Sequence, residues 1–154
     1  MAPEVRELDQ RDLFTAARIT ALQRVSYEQE AKLIGFDAIP PLRESAEDVS
    51  ALHLTMLGVE DELGELCAIL GFARTGDTVG IDRLAVRPDR FRTGLARLLL
   101  EHLHDREDAR RFEVSTGADN LPAVRLYLSM GYEATANVAL PQGLMITLFS
   151  RTAC

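Results

Sequence analysis

Ile81-Asp82-Arg83-Leu84-Ala85-Val86 reads as an apolar strand, Arg87 to Gly94 as an arginine-rich turn, and Leu95-Ala96-Arg97-Leu98-Leu99-Leu100 as the start of an amphipathic helix. A strand, a tight turn and a helix in that order form an anion site. The first four N–H groups of a helix have no partner inside it, and the macrodipole places about half a positive charge there. Five arginines lie between positions 83 and 97, against one acid, Asp89. The chain as a whole carries a net charge of −7, so this basic island stands out from its background.

The acidic balance argues against a nucleic-acid partner or an anionic membrane surface, both of which are held mainly by basic charge. The 154 residues suit a single domain, 1–154, large enough to bury about two thirds of its unfolded surface. The longest apolar run, Leu66 to Ala73, is far short of the roughly 20 residues a membrane helix needs. The first residues, Met1 to Arg6, lack the apolar core of a secretory signal. The chain is therefore read as a soluble cytoplasmic protein. Cys67 and Cys154 are read as two reduced thiols. Lys32 is the only lysine, and no Gly-Lys pair exists for a P-loop.

Val5 to Leu8 is a short strand candidate, and Asp9 is expected to cap a helix carrying Leu13, Ala16, Ala17 and Thr20 at helical spacing. A second helical piece, Tyr27 to Ile34, stops at Gly35. The loop from Phe36 to Leu42 contains Pro40 and Pro41 and is expected not to continue a helix. Ser45 and Asp48 have the spacing of a capping box for a short helix reaching Ala51. The strands His53 to Val59, Leu66 to Arg74 and Thr78 to Val86 follow, joined by short polar turns as in an antiparallel meander. Leu95, Leu98, Leu99, His102 and Leu103 mark one helix face, and Phe112 to Gly117 is the next strand. Asn120 caps a helix with Pro122 in its first turn and Gly131 at its stop. Tyr132 to Leu140 and Leu144 to Arg151 close the chain as a hairpin, so the class is α+β.

This order, with its two motifs, resembles the GCN5-related N-acetyltransferase (GNAT) family over essentially the whole chain. The family's acyl-CoA motif, Q/R-x-x-G-x-G/A, aligns with Phe91-Arg92-Thr93-Gly94-Leu95-Ala96: Gly94 and Ala96 match, and Phe91 stands where Gln or Arg is usual. A second signature, N-x-x-A-x-x-L-Y-x-x-x-G-F/Y, matches at Asn120, Ala123, Leu126, Tyr127, Gly131 and Tyr132. The resemblance implies the acyl-CoA N-acyltransferase fold: a mixed, mostly antiparallel seven-stranded sheet flanked by helices and splayed between strands four and five. It implies acetyl-CoA as co-substrate and no metal. The pantetheine arm would lie along the backbone of Leu84, Ala85 and Val86, and the pyrophosphate on the N–H groups from Arg92 to Ala96. Asn120, Ala123 and Tyr127 complete the implied cofactor contacts. The acceptor would be a small-molecule or peptide amine. Homodimers are common in the family.

Direct acetyl transfer needs a neutral amine. An alkylammonium of pKa about 10.4 leaves about one molecule in 2,500 ready at pH 7, a shortfall of about 4.6 kcal/mol. Asp82, expected to share a strand face with Leu84, is the candidate base; the competing reading pairs it with a nearby arginine. Glu28, Glu30 and Asp37 lie in the acceptor-side segment, as cation binders or as solvated helix charges. Tyr127 corresponds to the family tyrosine that assists departure of the CoA thiolate. A phenol of pKa about 10 is a weaker acid than a thiol of about 8.5, so it would donate a hydrogen bond without giving up its proton. His102 and His104 are two apart on a helix and His53 stands alone, which argues against metal ligation. The alternative to an enzyme is a non-catalytic acyl-CoA-binding or regulatory module, which would keep Gly94 but have no use for Tyr127 or a base.

Overall fold

The computed structural model describes residues 3–35 and 40–152. All seven strands join one sheet in the order β1-β2-β3-β4-β5-β7-β6. β1 (Val5–Leu8), β2 (Thr55–Glu60), β3 (Leu66–Thr75) and β4 (Thr78–Val86) form an antiparallel series. β5 (Arg111–Gly117) pairs in parallel with β4 and antiparallel with β7 (Met145–Thr152), which carries β6 (Glu133–Ala139) as the outer strand of the closing hairpin. The strand predicted from His53 begins at Thr55, whereas β4 has the bounds expected from its flanking turn residues.

Helix α1 (Leu13–Ile34) is one continuous helix of 22 residues, not two pieces. Its cap is Asp12, not Asp9: the Asp12 carboxylate accepts from the Thr15 N–H, whereas Asp9 accepts from Arg11 in the turn before. Gln23 and Ser26 interrupt the apolar spacing yet are buried, because Gln23 meets polar partners on other elements. The helix ends at Gly35 as expected. Phe36, Asp37, Ala38 and Ile39 lie outside the described residues. Pro40–Arg43 forms a short helix, α2, against expectation; proline fits a first turn, where its missing N–H has no intrahelical partner. α3 (Ala46–Ser50) carries the predicted capping box between Ser45 and Asp48.

The sheet is covered on both faces. Leu95, Leu99, Leu100 and Leu103 of α4 (Leu95–Arg106) and Tyr127 of α5 (Leu121–Ser129) pack with Leu57, Leu70, Phe72, Val79 and Phe112 on one side. Ala16, Ile19, Leu22 and Tyr27 of α1 pack with Met56, Ile69 and Ala85 on the other. Burying each such leucine contributes about 2 kcal/mol. Among the described residues no helix is long and apolar enough to cross a membrane. Cys67 is a free, buried thiol; Cys154 lies outside the described residues.

His104 fastens α4 to the closing hairpin. Its Nε2 is 2.8 Å from the Tyr132 hydroxyl, its Nδ1 meets the Arg151 guanidinium, and its ring lies edge-on to Phe112. Burial, reinforced by the Arg151 charge, pushes its pKa down from 6.5 to about 4. Between these values the unfolded chain binds a proton that the folded chain does not, so stability falls as pH drops from about 6.5 to about 4. Urea unfolding across this range is expected to show a shallower decline in His104→Phe than in the parent protein.

Candidate functional site

β4 and β5 pair at only three positions, Thr78 with Arg111, Val79 with Phe112 and Gly80 with Glu113. Beyond them β4 continues against β3 alone and β5 against β7 alone, which opens the sheet between the C-terminal halves of the two strands. A bulge sits where they part: Ile81 lies opposite Phe72 and Arg83 opposite the adjacent Gly71, so Asp82 has no partner. A bulge bends its strand and raises its twist. It also shifts the side-chain alternation by one. Val79 and Ile81 before it, and Leu84 and Val86 after it, pack on the α4 side, whereas Ala85 packs on the α1 side.

Asp82 therefore does not share a face with Leu84. Its carboxylate accepts from the Arg83 guanidinium at 2.7 Å. Arg83 is buried and also donates to Gln23 at 2.9 Å and to Glu44 at 2.5 Å. Leaving such a buried charge without its partner costs about 3–5 kcal/mol, so this network fastens the segment before α3 to α1 and β4.

The split presents free backbone. Arg87 donates its N–H to the Cys67 carbonyl on β3. Strand backbone groups alternate in direction, so Ala85 also turns to β3, while Leu84 and Val86 turn N–H and C=O into the gap. On the opposite wall Ala118 donates to Met145, which by the same alternation aims Gly117 and Ser115 into the gap. α1 crosses above. The Tyr27 hydroxyl lies 3.5 Å from the Leu84 carbonyl, and Ile34 lies so close to Gly117 that a Cβ there would come within 3.1 Å of it.

Between those contacts Glu30 reaches β5 and the start of α5. Its Oε1 accepts from Asn120 Nδ2 at 2.9 Å and from Thr116 Oγ1 at 3.4 Å. Burial pushes the Glu30 carboxyl above the usual carboxylate range, against these two hydrogen bonds. Asn120 Oδ1 meanwhile caps α5 by accepting from the Ala123 N–H, and Ala123 packs against the core. Tyr127 is buried, and its hydroxyl pKa is pushed up, chiefly by burial and then by the Glu30 charge. Its hydroxyl bonds to no described residue. Glu28 is exposed, and Asp37 lies outside the described residues.

At the start of α4 the basic island divides. Arg83 is spent on Glu44 and Asp82, Arg87 on Asp61 and Asp89, and Arg90 on Glu62. Arg97 bonds Ser129 on α5, and Arg92 has no carboxylate partner among the described residues. Glu44, Asp61 and Glu62 are distant in sequence, which is why the stretch reads as surplus charge in the linear chain. Arg92 sits at φ 63°, and Gly94, the residue before α4, at φ 85° with no side-chain cap. Among the described residues the N–H groups from Arg92 to Ala96 have no acceptor, and the first helical bond is Leu98 to Gly94. Thr93 Oγ1 bonds the Arg90 carbonyl and Phe91 is half-exposed, while Leu95 is buried and anchors the helix. No atom lies within 4 Å of where a Gly94 Cβ would stand, so the approach to these N–H groups is clear.

Sequence reasoning named Glu30 but missed Tyr27 and Thr116. With α1 taken as two pieces, Tyr27 and Glu30 could still be placed one turn apart, but nothing indicated which strands they cross. Among the described residues no three His, Cys, Asp or Glu side chains converge on a point.

The family model described as "Acetyltransferase (GNAT) family" matches residues 6–132. The UPF0157 protein YqkA of Bacillus subtilis is 36% identical over 143 residues, which are 92% of this chain and 41% of that protein. The chain thus spans less than half the length of this curated relative. The ribosomal-protein-S18-alanine N-acetyltransferase of Escherichia coli superposes with a TM-score of 0.73 at 22% identity, covering 98% of this chain and 94% of that one. The PaiA N-acetyltransferase of Thermoplasma acidophilum, solved in complex with coenzyme A, gives 0.76 at 15% identity, covering 99% and 100%.

Gly94→Ala separates backbone strain from loss of the approach. A left-handed alanine costs about 1–2 kcal/mol, and calorimetry is expected to show a lowered Tm with the fold retained. Titration is expected to show acetyl-CoA binding weakened about 10-fold or more, since the methyl group enters the clear space; unchanged affinity would remove Gly94 from the binding surface.

Proposed function

The chain belongs to the acetyltransferase (GNAT) family, and from that premise we propose that it transfers the acetyl group of acetyl-CoA to a primary amine by direct attack in a ternary complex. The observation that carries this reading is the split itself: two strands that pair for three residues and then leave inward-facing backbone on both walls, with an uncapped helix start at one end. An extended chain with amide groups fits the split, because it can bond to Leu84 and Val86 as an added strand does. A pyrophosphate fits the helix start, because the N–H groups of Arg92 to Ala96 and the field of α4 favour an anion. Arg92 and Arg97, neither of which has a carboxylate partner among the described residues, are left to supply charge there. Phe91, in place of a polar residue, leaves the task to backbone.

Acetyl-CoA supplies an activated acyl group and a thiolate leaving group. The protein's share is to orient these, exclude water and manage protons. Tyr127 projects from α5 on the α4 side of the sheet, and burial holds its phenol protonated. It therefore acts as a hydrogen-bond donor to charge developing on sulfur, not as a proton source. The acceptor approaches from the α1 side, where Glu30 is a negative charge with no salt-bridge partner among the described residues. That favours a cationic amine, small molecule or peptide. The same reading places the protein in the cytoplasm and is compatible with a homodimer.

Thiol release with acetyl-CoA and a panel of small amines, polyamines, aminoglycosides and peptide N-termini tests the proposal. Amine-dependent release is expected. Thermal stabilisation by acetyl-CoA without release would indicate a non-catalytic acyl-CoA-binding module instead. In an active assay Tyr127→Phe is expected to lower kcat by about 10- to 1,000-fold with little change in acetyl-CoA affinity; an unchanged kcat would remove the hydroxyl from the mechanism.

A further inference from the structure

Tyr27, Glu30 and Ile34 lie on one face of α1, at a spacing that stacks side chains along a helix. Their contacts run across the split: Tyr27 to Leu84 on β4, Glu30 to Thr116 on β5 and Asn120 before α5, and Ile34 to Gly117. Glu30 is thus suspended over the gap. Both of its hydrogen bonds fall on Oε1, and Oε2 has no partner among the described residues. The acids of the neighbouring network are neutralised, since Asp82 and Glu44 share Arg83. Glu30 differs from them: no arginine or lysine lies within salt-bridge distance of it among the described residues. A half-buried carboxylate without a counter-ion costs stability, and such costs concentrate where chemistry needs them.

Resting on the acetyltransferase reading, we infer that Glu30 is the general base, taking a proton from the acceptor ammonium through Oε2 while Asn120 and Thr116 hold Oε1. The ammonium loses one proton to the Glu30 carboxylate and becomes a neutral amine. Its lone pair forms a C–N bond to the thioester carbon, and the C–S bond breaks with its electrons moving to sulfur. One of the two remaining N–H protons neutralises the thiolate, near which Tyr127 donates its hydrogen bond, and Glu30 returns its proton to solvent. The base acts from the α1 side and the leaving group is met from the α5 side, so nucleophile and leaving group do not compete for one face.

The titratable groups around Glu30 are Tyr27 on its own helix and Tyr127 on α5, both of which feel its charge. β5 contributes the neutral Thr116, and Arg83 of β4 is committed to Glu44 and Asp82. Burial raises the carboxyl, so the acid limb of kcat/KM is expected above the ordinary carboxylate range.

The test uses the full chain, acetyl-CoA, and two probe amines: spermidine, which is protonated at neutral pH, and 2,2,2-trifluoroethylamine, which is neutral there. Glu30→Gln keeps the acceptor oxygen for Asn120 and Thr116. It is expected to lower kcat/KM for spermidine by about 10²- to 10⁴-fold, to abolish the acid limb, and to leave the rate with trifluoroethylamine and the acetyl-CoA affinity by calorimetry nearly unchanged. Equal loss with both amines would make Glu30 a structural residue and overturn the inference, as would an acid limb that survives Glu30→Gln or disappears in Asp82→Asn. Absence of thiol release from the parent protein with these amines and with every acceptor of the panel would instead overturn the acetyltransferase reading, and this inference with it.

Discussion

Hydrogen bonding between β4 and β5 lasts for three residue pairs and then gives way to the bulge at Asp82. Everything distinctive about the site follows from that interruption. An open sheet edge inside a protein is costly unless its N–H and C=O groups find partners. Here Leu84 and Val86 face Ser115 and Gly117 across a gap that α1 crosses on one side. The pair is kept apart because each strand is tied to a different neighbour, β4 to β3 and β5 to β7. A ligand with amide groups in an extended chain can restore the missing ladder, and this is the physical basis of the binding site proposed for the split.

Charge is arranged around the same gap with little redundancy. Arg83, buried on the α1 side, ties together Gln23, Glu44 and Asp82. Arg87 and Arg90 brace the turn before α4 against Asp61 and Glu62. These pairs build the scaffold, and in the proposed function they leave Arg92 and bare N–H groups for an anion at one end of the split and Glu30 for a cation at its α1 side. Opposite polarities at separate points suit a reaction that joins an anionic carrier to a cationic acceptor.

Much of this was legible in the chain. Asn120, Ser45 with Asp48, and Gly35 mark helix ends because capping is local chemistry. Gly94 and Tyr127 stand out in the chain because their motifs encode backbone conformation and helix phase at fixed spacing. The parts that were not legible depend on distant partners. α1 looked broken because buried Gln23 reads as a surface residue until Arg83 and Glu44 are known to meet it. Asp82 was placed on the wrong face because a bulge is a property of strand pairing, not of one strand. The basic island looked unneutralised because its acids come from positions 44, 61 and 62. Glu30 was named, but its place over the split follows from a helix path that no local pattern records.

Residue-resolved amide exchange by NMR, with and without acetyl-CoA, measures the split directly. If an extended ligand pairs along β4, the Leu84 and Val86 amides slow by about tenfold or more on binding, while Ala85, already turned to β3, stays as it was. Acetyl-CoA that raises the Tm yet leaves the Leu84 and Val86 amides exchanging as before would contradict the account, since the ligand would then be held elsewhere.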